Sequence, residues 1–350
     1  MDHFGQFLGR HGHDVTVLAH PLDNYAGRRT QLTQEGTVLR SVRRWQLGLL
    51  NLLLDLVLSC AAVPRRGVDV VVAANNFDAL SALVAKHVLR KQVPRICYFA
   101  ADYSEDRFGA GSRLSRIYDR VERIVLRHAT LVVSNTRRAA AQRRRLGLDE
   151  TRSIVVPNGV RLPDPQFTPK HIDKSAFVYV GSVTREHGLY ELLEVMAPLI
   201  RRLVILGVGD DLDRVVGLCQ SRRIEHEVLG RRGHDDVLDY LRDFGGIGLA
   251  PYNLTSRWTY YCSPLKVNEY VACGVPVFMS AVPEVADLVI SDRLGAVFGD
   301  LDLAELRGRL DALDTVDFHR RAERFYHQYG EETLYARIPL TGELPSPPPE

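Results

Sequence analysis

Short apolar runs without alternation recur along this chain: Val68–Ala74, Pro94–Phe99, Thr130–Ser134, Phe177–Val180, Leu203–Leu206 and Val277–Met279. A strand with one wet face alternates polar and apolar residues, whereas an uninterrupted run suits a parallel strand covered on both faces. Helical stretches such as Asp78–Arg90 and Leu114–His128 separate the runs. Strand–helix alternation of this kind predicts doubly wound α/β layers. At 350 residues the chain is too long for one ordinary core and suits two domains. Pro157, Pro163, Pro165 and Pro169 mark an extended linker, because proline holds its neighbours out of helix. The expected division is 1–165, then 166–318, with 319–350 as a helical tail that becomes Pro-rich at its end.

Ahead of the first run, His13–Leu18 reads as a strand entered from a helix Asp2–Arg10, and Pro21–Arg44 as a polar loop. Leu47–Val63 is the longest apolar stretch, broken by Asn51 and Asp55. It falls short of the roughly 20 residues that span a bilayer, and reads as a buried helix, with a membrane-surface helix as the alternative. Hydrophobic residues at 45% and charged residues at 25% are those of a soluble globular chain. A net charge of +2 gives no global drive toward nucleic acid. The five cysteines, Cys60, Cys97, Cys219, Cys262 and Cys273, are scattered and form no C-x-x-C pattern. Free thiols in a reducing compartment are the simplest account, and no secretory leader is recognised, so a cytoplasmic location is expected.

The segment Ser263–Val277, SPLKVNEYVACGVPV, carries the chemistry. Ser263 is expected to cap a helix whose first position is Pro264. Lys266 then falls in the first turn, beside free backbone N–H groups and the positive end of the helix dipole, a combination that binds phosphate. Glu269 lies three residues on and shares its face. A cation for phosphate and a carboxylate for sugar hydroxyls suit a nucleotide-sugar. The plainer account is a capped surface helix with an i,i+3 ion pair.

SPLKVNEYVACGVPVFMS resembles the donor-site helix of GT-B glycosyltransferases, in the P-x-K-x-x-E-Y-x-x-x-G-x-P-V form of many family 4 members. IVVPNGV (Ile154–Val160), FVYVGSVTREHGLYELLEVM (Phe177–Met196) and the stretch Leu203–Asn253 resemble further family segments in order and spacing. The resemblance implies a GT-B architecture: two Rossmann-like doubly wound domains facing across a cleft. The first (1–165) would bind acceptor and the second (166–318) the nucleotide-sugar, and the tail (319–350) would return a helix to the first. It also implies a first strand and glycine-rich turn ahead of the helix Asp2–Arg10, which are not found.

By the resemblance, the loop opened by Gly181 and Ser182 meets the donor diphosphate. The family's usual Arg and Lys are replaced there by Ser182 and His187. Lys266, helped by Arg185, is left to carry the phosphate charge. Glu269 matches the second of two family glutamates, the one that meets the ribose; Tyr261 stands where the first would be. Gly207 follows the next strand. Arg231 and Arg232 follow the strand near which the family holds the nucleobase, and Tyr252 lies at another strand end. Ser263 and Leu265 complete the donor set.

In the first domain Asp102 follows a buried strand in YFAADYSEDRF. Its position is similar to that of the catalytic aspartate of xanthan glucuronosyltransferase, an inverting GT-B enzyme, and a carboxylate there can deprotonate an acceptor hydroxyl. Arg113, Arg116, Arg120, Arg123 and Arg127 recur at helical spacing, with Arg137, Arg138 and Arg143–Arg145 on the next helix. That basic face suits either solvent, with Asp119 and Glu122 pairing locally, or an anionic membrane.

The expected activity is glycosyl transfer from a nucleotide-sugar (a UDP-sugar first, a GDP-sugar second) to a saccharide or lipid-linked saccharide in cell-surface polysaccharide or glycolipid synthesis. Lys266, Glu269 and Asp102 would be the catalytic residues. No essential metal and no nucleic-acid partner are expected. The rival readings are a nucleotide-sugar epimerase of the same fold and a degenerate chain that only binds a partner.

Overall fold

The computed structural model describes residues 2–19, 31–34, 37–41, 49–100, 103–104, 109, 111–255 and 257–340. The chain divides into two compact units, Met1–Val156 with Tyr335–Glu350, and Pro157–Leu334.

The first unit runs α1 (Asp2–Arg10), β1 (Val15–Ala19), β2 (Gln31–Gln34), β3 (Thr37–Ser41), α2 (Leu49–Ala62), β4 (Val70–Ala73), α3 (Asn76–His87), β5 (Arg95–Ala100), α4 (Arg113–His128), β6 (Leu131–Ser134), α5 (Arg137–Arg145) and β7 (Ser153–Val155). Strands β4-β5-β6-β7 make one parallel sheet, as the apolar runs predict. A second sheet, β1-β3-β2, corrects the expected polar loop: β3 pairs parallel with β1 and antiparallel with β2. Leu32 in Gln31-Leu32-Thr33-Gln34 and Val38-Leu39 in Thr37-Val38-Leu39-Arg40 are β-compatible apolar residues in short polar stretches too brief to show a clear period. The core of this unit joins Ala79, Ala82 and Leu83 of α3 to Ile96 and Tyr98 of β5, Val125 and Leu126 of α4, and Val132 of β6. Phe4 and Phe7 of α1 pack edge-on against Tyr335, with ring centroids 5.0 and 5.6 Å apart.

The second unit runs β8 (Ala176–Val180), α6 (Leu189–Met196), β9 (Arg202–Leu206), α7 (Leu212–Arg222), β10 (Glu225–Val228), α8 (His234–Asp243), β11 (Ile247–Ala250), α9 (Arg257–Tyr261), α10 (Leu265–Ala272), β12 (Val277–Ser280), α11 (Val285–Ser291), β13 (Gly295–Phe298), α12 (Leu303–Asp311), α13 (Phe318–Tyr329) and α14 (Glu331–Tyr335), of which the last residue, Tyr335, belongs to the first unit. Its six strands are all parallel, in the order β10-β9-β8-β11-β12-β13. The chain winds outward from β8 to β10, then crosses back to β11 and winds the other way. The two directions part between β8 and β11, and ligands of open α/β sheets bind beyond the strand ends at that point.

Helix α10 is pinned beneath this switch point by Tyr270. The Tyr270 ring is fully buried. Its hydroxyl accepts from the Val180 N–H at 2.7 Å and donates to the Leu249 carbonyl at 3.2 Å. Gly248 makes the room, since a Cβ there would stand 2.5 Å from the Tyr270 ring. All five cysteines are free thiols. Among the described residues no helix is long and apolar enough to cross a membrane.

Candidate functional site

Gly181 and Gly207 end the adjacent strands β8 and β9. The chains stay zipped beyond the sheet: Gly181 N–H donates to the Leu206 carbonyl at 3.0 Å, and Val183 N–H to the Val208 carbonyl at 3.0 Å. A Cβ on Gly207 would stand 1.9 Å from the Gly181 carbonyl oxygen. Gly181 has φ +115°, and a Cβ there would stand 3.4 Å from Lys266 Nζ. The main chain of the β8 loop therefore lies bare beside that ammonium.

Lys266 is half-buried in the first turn of α10, with Nζ 4.1 Å from the Tyr179 ring centroid and 5.4 Å from that of Tyr252. The rings attract the cation but do not hydrate it. Burial pushes the Lys266 pKa down to about 7, with Glu269 and Cys262 acting the other way. Glu269 is 8% exposed and its Oε1 lies 3.5 Å from His234 Nδ1. Burial raises its pKa, against the pull of His234 and Lys266. Residues Val267–Ala272 are all buried, so α10 is no surface helix, and Glu269 lies against His234 rather than forming the expected ion pair with Lys266.

By the resemblance, His187 stands where the family carries lysine. Burial and then the neighbouring Lys266 hold its pKa down at about 4, so at neutral pH it brings no charge. Its Nδ1 lies 2.8 Å from Thr184 Oγ1. Tyr252 is buried at φ +38°, its carbonyl accepting from Ser280 Oγ at 3.0 Å.

The expected Ser263 cap is corrected. The N-cap of α10 is Pro264, which has no side-chain cap bond. Ser263 Oγ instead accepts from the Asn158 N–H at 3.1 Å, the Ser263 carbonyl accepts from Asn158 Nδ2 at 2.7 Å, and Asn268 Nδ2 donates to the Asn158 carbonyl at 2.6 Å. The distant Asn158 outcompetes the local cap, and the first N–H groups of α10 have no side-chain acceptor from Ser263.

The remaining predicted donor residues lie on the rim. Ser182 and Arg185 are exposed; their carbonyls accept from Tyr179 OH at 2.6 Å and Asn253 Nδ2 at 3.4 Å. Arg231 and Arg232 are exposed on the loop after β10, Leu265 is 52% exposed, and Tyr261 is half-buried against Tyr260. The structure thus gathers Gly181, Gly207, Lys266 and Glu269, and adds His187, Tyr179 and His234. Of these, His234 has no local sequence signal beyond following the Gly230–Arg232 turn.

In the first unit Asp102 lies outside the described residues. Its neighbour Tyr103 has its ring 5.4 Å from the Arg143 guanidinium carbon. Arg143 was expected on an exposed basic face with Arg144 and Arg145, and that is corrected: it is fully buried, donating from Nε to Glu122 Oε1 at 3.1 Å and from a terminal nitrogen to Ser134 Oγ at 3.1 Å. Glu122, expected to pair on the surface, is buried too and accepts from Tyr98 OH at 2.9 Å. Arg113, Arg116, Arg120, Arg123 and Arg127 of α4 are exposed. Ile117 and Ile124 lie among them at 49% and 44% exposure.

Residues 3–159 match the model of a glycosyl transferase 4-like domain and residues 174–313 that of glycosyl transferases group 1. No curated protein matches by sequence. Among solved structures the chain is similar to sucrose-phosphate synthase from Thermosynechococcus elongatus (TM-score 0.70, 17% identity, 95% of this chain and 89% of that one). It is similar to OtsA in its apo form (TM-score 0.67, 12% identity, 95% and 92%). It also resembles Anabaena HepE in complex with UDP-glucose (TM-score 0.64, 13% identity, 86% and 85%). At these identities the likeness establishes the fold.

Proposed function

The chain is a glycosyltransferase of GT-B fold, a 4-like domain followed by a group 1 domain, and on that premise we propose that it transfers a sugar from a UDP-sugar to an acceptor hydroxyl in cell-surface polysaccharide or glycolipid synthesis. The observation that carries the reading is Lys266: a desolvated ammonium in the first turn of α10, facing the bare main chain of Gly181 at the switch point. As the bond from the anomeric carbon to the diphosphate oxygen breaks, charge grows on the phosphate. The protonated Lys266 and the N-terminal dipole of α10 stand ready for it, and donors fixed in advance cost no reorganisation. Glu269, held beside His234, accepts from the ribose hydroxyls. Asp102 takes the proton of the acceptor hydroxyl as its oxygen bonds to the anomeric carbon, an inverting course. The choice of UDP is supported by HepE, whose structures hold UDP and UDP-glucose.

A panel of UDP-, GDP- and dTDP-sugars tests this by thermal shift and hydrolysis. UDP-sugars are expected to raise the melting temperature of the wild type and to lose that effect in Lys266→Ala. A panel in which no nucleotide-sugar shifts or is cleaved would overturn the reading.

The exposed α4 face fits an anionic leaflet carrying a lipid-linked acceptor. Its five arginines are worth about 1 kcal/mol each near such a surface, and Ile117 and Ile124 supply apolar contact. In co-sedimentation the chain should pellet with anionic vesicles and not neutral ones, and molar salt should release it, because the Debye length is then about 3 Å. Equal pelleting with both vesicle types would leave α4 as a solvated face.

A further inference from the structure

A cavity of about 570 Å³ opens between the end of α11 and the first turns of α13, lined by Arg293, Arg320, Arg321 and Arg324 with Asp292 and Asp317. It is separate from the donor site. Arg293 and Leu294 lead into β13, at the N-terminal edge of the sheet, whereas Gly181 and Gly207 follow their strands at the C-terminal edge. In a fully parallel sheet these are opposite edges.

Arg321 is fixed in place. Its terminal nitrogens donate to Asp314 Oδ2 at 2.9 Å and to the Asp314 carbonyl at 2.7 Å, and its guanidinium lies 5.3 Å from the Phe318 ring centroid. Its Nε is buried and has no hydrogen-bond partner among the described residues. The side chains of Arg293, Arg320 and Arg324 are exposed and have no ion pair or hydrogen bond among the described residues. Arg320 and Arg324 are a like-charged i,i+4 pair, which weakens a helix unless an anion lies between the charges. Even with Asp292, Asp317 and Asp314 counted, the four arginines leave an excess of positive charge. Guanidinium groups are suited to phosphate oxygens, which they bind bidentately.

We propose that this cavity is a second anion site, which holds the phosphate group of a small molecule on Arg293, Arg320 and Arg324. The two lining carboxylates limit the excess charge, which suits a phosphate monoester or diphosphate rather than a long polyanion. The site reaches the donor helix through the core: Phe325 lines the cavity and packs in one cluster with Val267 and Val271 of α10. The inference stands apart from the transferase reading, since none of its residues belongs to the donor site.

The test is calorimetric titration of the full chain with inorganic pyrophosphate, in wild type, Lys266→Ala, Arg320→Gln/Arg324→Gln and all three substitutions together. These arginines are exposed, so the double variant is expected to fold. Pyrophosphate binding should persist in Lys266→Ala and weaken at least tenfold when the arginine substitutions are added, while Arg320→Gln/Arg324→Gln keeps its nucleoside-diphosphate binding. If Lys266→Ala alone abolishes pyrophosphate binding, or the arginine substitutions leave it unchanged, the site does not exist, and the donor reading is untouched. Phosphatidylcholine vesicles with and without phosphatidic acid separate the sources. Pelleting that falls in the arginine variant and is competed by pyrophosphate supports a lipid headgroup as the source of the phosphate. Pelleting the same in both proteins, with the calorimetric loss intact, supports a soluble one.

Discussion

Lys266→Ala is expected to weaken nucleoside-diphosphate binding by about 2–3 kcal/mol, the scale of a charge-assisted hydrogen bond. By the family resemblance, Ser182 and His187 stand in place of the donor loop's Arg and Lys, and His187, its pKa held at about 4, cannot substitute as a cation at neutral pH. The effect carries a pH signature. The Lys266 pKa of about 7 lies below its ordinary 10.5. Between those values the folded chain holds fewer protons than the unfolded one, so the stability of the wild type relative to Lys266→Met should rise with pH across that window. Diphosphate affinity should run the other way, falling as pH rises above about 7, because the ammonium that binds phosphate is being lost. Calorimetry across pH 6 to 9 reads both slopes. An affinity that is the same in Lys266→Ala, or flat in pH for the wild type, would remove Lys266 as the phosphate ligand.

Asp102→Asn should lower transfer by roughly two to four orders of magnitude, the range of a lost general base, with donor binding retained. The next residue, Tyr103, lies against Arg143, which is bonded to Glu122 and Ser134 in the interior. The amide keeps the shape and cannot take the proton. Transfer at close to the wild-type rate would end the inverting assignment and favour a course in which the leaving phosphate accepts the proton.

Most of the second unit was legible because strands β8, β9, β11 and β12 are buried, and burial of that kind writes itself into the sequence as uninterrupted runs such as Phe177–Val180, whereas the exposed edge strand β10 leaves no such run. The hairpin β2–β3 was not legible, because strands of four and five residues with few apolar positions carry too little pattern to stand out from a polar loop. Lys266 and Glu269 were legible as a helical pair, but their surroundings were not. Tyr179, His187 and His234 reach them from other elements, and no local pattern announces a tertiary neighbour. Ser263 shows the same limit: capping rules weigh a serine against its own helix, and here Asn158, 105 residues away, takes it. Arg143 reads as the first of three surface arginines until Glu122 is seen beneath it.

The Tyr270 hydroxyl fastens α10 to the backbone of both β8 and β11. A helix tied in this way has little freedom to slide along its axis or turn about it. On the proposed assignment, a nucleotide-sugar would meet an ammonium already at its working height, with little ordering left to be done on arrival. Competing nucleotide-sugars should then associate at similar rates, and discrimination among them should appear in how long each stays.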